Sequence, residues 1–328
     1  MLRYRKHTGI PALAFAGLAV LALPTAAQAR GQAQSSGCAA EPVIDTKTSL
    51  TDLSDIWFGD GSFRYAIMLA TNARSGTGTF AFIGDPNQLK PGAKVCIPHS
   101  GEAERMRRRY NRYLTAVQDM SLAEPWEEVN TLDPLPKSGT YRVATWIRAD
   151  QVSRYPSSPS SGFNYAVGGD TWVTLEPHLK AFCKDYVRTV SDNPAALTLR
   201  LEERLGLPPV SAKAYFAVLE IDAASSSGGK KVFRPCAVPA TDTTSCAAGT
   251  PTANQPFFYQ QYYDSYGTAM PAEYPWTSLG YTFDWAPQPA TLSKLMEYVR
   301  VGESEYVVPK GTMAKFIGTY STAQYCAP

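Results

Sequence analysis

The chain has 328 residues, and its 31 basic and 29 acidic side chains give a net charge of +2. This near balance of charges excludes a global electrostatic attraction to nucleic acid, which needs an excess of basic residues. A chain of this length can bury more than one hydrophobic core, so two domains are expected.

The beginning of the chain has the three parts of a secretory signal peptide. Basic residues stand near the start, an apolar run of about 14 residues covers positions 10–23, and small residues lead to Ala29. The run is too short to span a membrane comfortably. We therefore predict a signal peptide over residues 1–29 and a polar, flexible tether over residues 30–37. Cleavage after Ala29 removes three basic residues and no acidic ones, which changes the net charge from +2 to −1.

All six cysteines follow the predicted signal, at Cys38, Cys96, Cys183, Cys236, Cys246 and Cys326. An even number in an exported chain predicts disulfides, although six cysteines allow fifteen connectivities. No pair has the C-x-x-C spacing, and only His99 and His178 remain after cleavage. The sequence therefore argues against a zinc site, and we expect no metal and no cofactor.

Residues 38–100 read as a first compact unit of the order strand, helix, helix, strand. Residues 43–46 form a short strand, and Ser49 can cap a helix with apolar positions from Leu50 to Trp57. A second helix covers residues 63–71, turn residues occupy 85–88 and 91–92, and residues 94–98 form the closing strand.

This order resembles the LysM family. The resemblance is carried by Ser49-Leu50, Leu53-x-x-Ile56-x-x-Gly59, Asn72, Asp85-Pro86-Asn87-x-Leu89 and Pro91-Gly92-x-x-Val95-x-Ile97-Pro98. The chain departs from the family in two places. It has Lys47-Thr48-Ser49 where the family has Gly-Asp-Thr, and the loop over residues 73–83 is longer. The resemblance implies a small βααβ module.

LysM modules bind polymers that contain N-acetylglucosamine, such as peptidoglycan and chitin. By resemblance, the binding groove lies between two loops. Its residues would be Lys47, Thr48, Ser49 and Leu50 on one side, and Ile83, Gly84, Asp85, Pro86 and Asn87 on the other. Small polar side chains and backbone groups can hydrogen-bond sugar hydroxyl and acetamido groups. The alternative is that these residues only make turns.

Cys38 lies just before the first strand and Cys96 lies on the second. The resemblance makes these strands antiparallel neighbours, so it implies a disulfide between the two residues. Such a bond would stabilise a module of marginal size. Together with the signal peptide, the resemblance implies a periplasmic or secreted protein held at the cell wall. Its expected partner is peptidoglycan or a related N-acetylglucosamine polymer, with no nucleic acid and no membrane span in the mature chain.

Residues 101–137 read as a helical linker. Apolar residues recur at helical spacing between positions 102 and 120, and prolines follow. Five arginines on this helix, Arg105, Arg107, Arg108, Arg109 and Arg112, suggest either contact with an anionic polymer or a solvated helix face. The nearby Glu102 and Glu104 favour the solvated face.

Residues 138–328 read as a larger domain of the α+β class. Strands are predicted over residues 140–148, 172–175, 214–221, 279–285 and 304–308, helices over 193–205 and 255–266, and a loop over 225–231. The segment 274–285 is unusually aromatic. It is consistent with either a carbohydrate groove lined by stacking rings or ordinary core packing.

One short pattern resembles the Glu-x-Glu strand of ADP-ribosyltransferases. Alternation puts Glu303 and Glu305 on the same face of a strand. By that resemblance, Arg148 would bind a nicotinamide dinucleotide. Ser278 would belong to the polar motif that lies between the arginine and the Glu-x-Glu strand. The alternative is an ordinary surface pair of glutamates.

A hydrolase has less support. The chain has no G-x-S-x-G motif, and His178 is the single histidine of the second domain. Glu176, Asp170 and Asp284 could serve a glycosidase, but nothing selects two of them. The sequence thus predicts an exported binding protein for envelope glycan. The alternative is an exported ADP-ribosyltransferase-like enzyme or glycan hydrolase that the module targets.

Overall fold

The computed structural model describes residues 37–75, 80–209, 212–224, 231–238, 244–266, 274–288 and 299–328. The predicted signal peptide, almost all of the predicted tether and most of the predicted 225–231 loop lie outside these residues. Residues 37–328 form one compact unit by their contacts.

The α+β class is confirmed. The helices are α1 (Leu50–Phe58), α2 (Arg64–Asn72), α3 (Ser100–Met120), α4 (Glu176–Thr189), α5 (Pro194–Arg204), α6 (Pro256–Tyr266) and α7 (Thr322–Tyr325). The strands are β1 (Thr140–Arg148), β2 (Tyr165–Ala166), β3 (Thr171–Leu175), β4 (Lys213–Asp222), β5 (Tyr281–Phe283), β6 (Val301–Val308) and β7 (Met313–Ser321). They pair antiparallel in one sheet of order β2-β7-β4-β1-β3-β6-β5.

The N-terminal module contains the two predicted helices between two extended segments. Ser49 caps α1, because its side chain accepts a hydrogen bond from the Asp52 amide while the Asp52 carboxylate accepts one from the Ser49 amide. The flanking segments meet as isolated antiparallel bridges, Val43 with Lys94 and Ala40 with Ile97, rather than as continuous strands. Backbone hydrogen bonds nevertheless join the two segments, among them the Ile44 amide to the Ala93 carbonyl at 2.9 Å and the Val95 amide to the Pro42 carbonyl at 3.1 Å.

Helix α3 contacts two hydrophobic cores. Tyr110 is buried in the core of the module and stacks on Tyr65, with 4.0 Å between the ring centroids. Tyr113, nearly one turn later, packs edge-on against Trp285 at 5.7 Å. Since residues three apart lie on the same side of a helix, one face of α3 serves both cores.

The two faces of the sheet bury different side chains. Trp146 on β1 and Phe216 on β4 pack with Leu179 of α4 and Leu201 of α5. The opposite face has its own cluster, and that cluster contains Val143, Leu219, Tyr306 and Phe316. The candidate cavity described below lies on the face that α4 and α5 cover.

All six cysteines are paired within the described residues, as an exported chain predicts. Cys38 is bonded to Cys96, the pair implied by the LysM resemblance, and the other bonds join Cys183 to Cys326 and Cys236 to Cys246. The Cys183–Cys326 bond ties α4 to the end of the chain. Of the described residues, no helix is long and apolar enough to cross a membrane.

Candidate functional site

The first predicted binding loop is organised by one aspartate. The Asp45 carboxylate accepts hydrogen bonds from the Thr48 hydroxyl at 2.6 Å and from the backbone amides of Thr48 at 2.7 Å and Lys47 at 2.9 Å. These bonds, with the Thr48 hydroxyl foremost, lower the pKa of Asp45. Lys47 is exposed, and Thr48 and Ser49 are half-buried. Leu50 is fully buried in the module core and so supports the loop from below.

The second predicted loop is held from both ends. Asn72, at the end of α2, donates to the Ile83 carbonyl and accepts from the Ile83 amide, each at 2.8 Å. The Asp85 side chain then accepts from the Asn87 amide and from the Gln88 side chain, also at 2.8 Å. This is an aspartate-led turn of the kind that the sequence predicts.

The two loops present polar groups and hide apolar ones. Leu50 and Ile83 belong to the same hydrophobic core, which fixes both loops to one support. Pro86 is buried as well. The predicted residues that remain open to a ligand are Lys47, Thr48, Ser49, Gly84, Asp85 and Asn87. The side chains of Leu50, Ile83 and Pro86 therefore shape the loops rather than contact a ligand.

The candidate catalytic residues do not converge. Arg148 makes a bidentate ion pair with Asp150 on the surface, with N–O distances of 3.0 and 2.9 Å. Ser278 is buried and has a positive φ of 55° in a turn. Glu303 is buried and accepts from the Arg204 guanidinium at 2.8 Å. Of the four residues, Glu305 is the one that lines a cavity described here.

That cavity has a volume of about 330 Å³ and lies against β3, β4, β5 and β6. Its walls include Trp172, Leu207, Lys213, Tyr274, Trp276 and Glu305. A neighbouring cavity of about 110 Å³ shares Trp172, Leu207, Lys213 and Glu305 with it and adds Thr174. The two volumes form one site, called the sheet cavity below.

Several polar atoms in the walls of the sheet cavity lack protein partners among the described residues. They are Oγ1 of Thr174, Nε1 of Trp276 and Oε2 of Glu305, each shielded from solvent. Thr174 and Glu305 face each other across neighbouring strands β3 and β6. A buried polar atom left unpaired costs about 1–3 kcal/mol, so such atoms mark places where a ligand or water is expected.

Two ionisable groups of the sheet cavity are strongly perturbed. Burial raises the pKa of Glu305 to about 8, against the opposing effect of Arg234. Burial also lowers the pKa of Lys213 to about 8, with help from the positive charge of Arg148 and against Glu202. Near neutral pH, the Glu305 carboxyl is therefore largely protonated and the Lys213 amine largely charged. The Lys213 ammonium donates one hydrogen bond to the Trp146 carbonyl at 2.7 Å.

The rings of the aromatic segment divide between a hydrophobic core and the walls of the sheet cavity. Trp285 and Phe283 pack in a hydrophobic core. Tyr274 and Trp276 line the sheet cavity, and Tyr274 is 41% exposed. The rings of Trp276 and Trp172 meet edge to face at 6.1 Å.

The arginines of α3 are largely engaged in ion pairs. Arg107 and Arg108 both bond the Glu104 carboxylate at 3.0 Å, and Arg112 lies 3.8 Å from Glu203. This arrangement favours the solvated, internally neutralised face over a site for an anionic polymer.

The carboxylates considered for a hydrolase are occupied as well. Glu176 pairs with Lys180, Asp284 pairs with Arg200, and Asp170 accepts from the Lys310 amide. His178 contacts Asp133 at 2.9 Å on the surface. Within the described ranges, no cluster of three His, Cys, Asp or Glu side chains could hold a metal ion.

The sequence singled out Glu305 through the Glu-x-Glu alternation, and Tyr274 and Trp276 through the aromatic segment, but it did not single out Trp172, Thr174 or Lys213. Trp172 and Thr174 lay within a predicted strand without any sign of a site. Lys213 is a single charged residue at the start of an apolar strand, and no local pattern shows that tertiary packing will bury it.

The structure thus defines an α+β protein with two candidate sites, the loops of the module and the sheet cavity. Comparisons with protein-family models, with curated proteins and with solved structures give no match to this chain.

Proposed function

We propose that this protein binds peptidoglycan, or a related N-acetylglucosamine polymer, through its LysM-like module at the cell envelope. The main support is the pair of ordered loops over residues 45–50 and 83–87. Each loop is organised by an aspartate that accepts backbone hydrogen bonds, and each is anchored in the same core.

The chemistry of these loops suits a neutral sugar chain. Sugar hydroxyl and acetamido groups need polar groups at fixed positions. Gly84 and the Asn87 side chain are exposed in the second loop. In the first loop, the Thr48 and Ser49 hydroxyls donate to Asp45 and Asp52 and can each still accept a hydrogen bond. Preorganisation matters because ordering a loop during binding would consume part of the affinity. The hydrogen bonds of Asp45 and Asp85 and the clamp from Asn72 remove most of that cost before any ligand arrives.

The disulfides support a location outside the cytoplasm. Six paired cysteines are typical of an oxidising compartment, and thiols of cytosolic proteins are kept reduced. The Cys38–Cys96 bond closes the module where its ladder consists of isolated bridges. A cell-wall location follows from the proposed ligand.

The enzyme alternative has weaker support from the geometry. An ADP-ribosyltransferase-like site needs an arginine, a polar motif and a glutamate in one cleft. Arg148 is bonded to Asp150, Ser278 is buried in a turn, and Glu303 is bonded to Arg204. Only Glu305 of the predicted set lines the sheet cavity described above.

An aspartate substitution tests the proposal in the chain from residue 30 onward. Asp45→Ala removes the acceptor that holds Lys47 and Thr48 in place. We expect it to weaken co-sedimentation with insoluble peptidoglycan about tenfold, since one or two hydrogen bonds of about 1 kcal/mol are worth that factor. The readout is the protein concentration that half-saturates pelleting.

Glu41→Ala is the matched control. It removes one carboxylate from the same module, but Glu41 pairs with Lys94 outside both loops. It is expected to pellet like the wild type, and circular dichroism should show that both variants are folded. Undiminished pelleting of a folded Asp45→Ala, or equal losses in both variants, would refute the proposed loops.

A further inference from the structure

The sheet cavity has the size and wall composition of a small-molecule site. Its volume of about 330 Å³ falls in the range of about 300–1,000 Å³ that is usual for ligand pockets. Its walls are mostly apolar and aromatic, with a few polar groups among them, and this mixture is typical of such pockets. It lies apart from the module loops, since none of the residues that line its two volumes precedes residue 144.

Aromatic rings form part of the walls. Trp172 and Trp276 meet at right angles, and Tyr274 is exposed enough to lie where the cavity opens to solvent. Rings in this arrangement can cover the apolar face of a flat or puckered ring. They do not by themselves distinguish a sugar from another ring compound.

The hydrogen-bonding groups of the sheet cavity indicate the first property of its ligand. The Thr174 hydroxyl and one oxygen of the Glu305 carboxyl sit opposite each other on β3 and β6 without a protein partner among the described residues. A hydroxyl and a protonated carboxyl can each donate and accept. Adjacent groups of this kind match the hydroxyls of a polyhydroxylated ring, which donate and accept in turn.

The charges of the lining residues indicate the second property of the ligand. Lys213 lines both parts of the sheet cavity. It also lines an adjoining cavity of about 560 Å³, together with Arg154 and Asp170. An ammonium has three donors, and the Trp146 carbonyl takes one of them. The other ionisable residues that line the two volumes of the sheet cavity are Glu305, Tyr274 and Tyr281, and burial raises the pKa of each. Near neutral pH the lining residues therefore present a cation and no full anion.

We propose that the sheet cavity binds an acidic sugar, with its ring against Trp172 and Trp276, its hydroxyls on Thr174 and Glu305, and its carboxylate on Lys213. A neutral sugar would offer the Lys213 ammonium no negative charge, and a cationic ligand would be repelled by it. The proposal does not depend on glycan binding by the module, because it rests on different residues.

The test is a fluorescence titration of the chain from residue 30 onward, since three tryptophans, Trp146, Trp172 and Trp276, line the sheet cavity. The probes are N-acetylmuramic acid, which carries a carboxylate, and N-acetylglucosamine, its neutral counterpart. At pH 6 we expect the acidic sugar to bind about ten- to a hundredfold more tightly, the range for one charge-assisted hydrogen bond. Raising the pH to 9 should abolish this preference, because Lys213 loses its proton and Glu305 becomes an anion.

The pH dependence has to be assigned to these groups rather than to their neighbours. Arg148 and Glu202 act on Lys213, and Arg234 acts on Glu305. Lys213→Met keeps the aliphatic stem but removes the charge, so it should lose the preference for the acidic sugar at pH 6. Lys94→Met is the matched control, because Lys94 pairs with Glu41 in the module.

Each outcome has a clear meaning. Tight acidic-sugar binding that falls in Lys213→Met and persists in Lys94→Met and Asp45→Ala supports the sheet cavity as the site. Equal binding of both sugars by the wild type, or no binding of the acidic sugar at millimolar concentration, overturns the proposal without any variant having to fold. Loss of binding in Asp45→Ala would assign the sugar to the module instead.

Discussion

Replacing both Cys183 and Cys326 with alanine is expected to lower the free energy of unfolding by about 5 kcal/mol. The bond joins residues 143 positions apart, so its loss frees a long loop in the unfolded chain. In the chain-entropy account, the stabilisation grows with the logarithm of the loop length. Both cysteines are buried, at 0% and 1% exposure, where α4 meets the end of the chain. Loss of the bond should therefore also release that contact.

The Cys236–Cys246 bond provides an internal comparison. It spans 10 positions, and its removal by the same alanine substitutions should cost about 3 kcal/mol. Denaturant unfolding of the two double variants under non-reducing conditions gives both values. The account fails if the short-loop variant is the less stable of the two, or if the variants lose equal stability.

Replacing Arg204 with methionine is expected to lower the free energy of unfolding by about 3–5 kcal/mol at pH 7. Arg204 bonds the Glu303 carboxylate at 2.8 Å, and the Glu303 side chain is only 5% exposed. Burial raises the pKa of Glu303, and Arg204 opposes this effect. Without the arginine, the buried Glu303 carboxylate loses the cation that compensates its charge, and an uncompensated buried charge is strongly destabilising.

The pH dependence of this loss has a definite sign. In Arg204→Met, the pKa of Glu303 in the folded state should rise further above its unfolded value. The carboxyl can then become protonated in the folded state, so the stability deficit should shrink as the pH falls from 7 toward 5. The double variant Arg204→Met/Glu303→Gln should recover much of the loss, because no buried charge remains. A deficit that is independent of pH and unchanged in the double variant would show that lost packing of Arg204 on Phe182, 4.7 Å away, is the cause.

Strong local patterns allowed much of the fold to be predicted. The strand predicted over residues 140–148 matches β1, and the helix predicted over residues 193–205 matches α5, which the Asn193 side chain caps. Helix α4 was not predicted, because it starts directly after β3 without a polar capping side chain and charged residues surround its few buried positions. Strand β7 was missed as well, and Gly318 lies in its interior. It forms because β4 lies alongside it as a partner, which no local signal shows.

The candidate sites were predicted to different degrees for the same reason. The loops of the module are local structures, in which Asp45 and Asp85 bond residues two or three positions away. The sheet cavity is assembled from residues far apart in sequence. Thr174 and Glu305 meet only because β3 and β6 are neighbours in the sheet. Periodicity could put Glu305 on a strand face, but it could not identify what lies opposite.

The most direct test of glycan binding by the module is amide NMR of the isotopically labelled chain during titration with an N-acetylglucosamine tetramer. We expect the largest shifts at the amides of residues 47–50, 83–85 and 87, where the two ordered loops lie, with small shifts in the seven-stranded sheet. Shifts centred on the sheet cavity, or no shifts at saturating sugar, would contradict the assignment of glycan binding to the module.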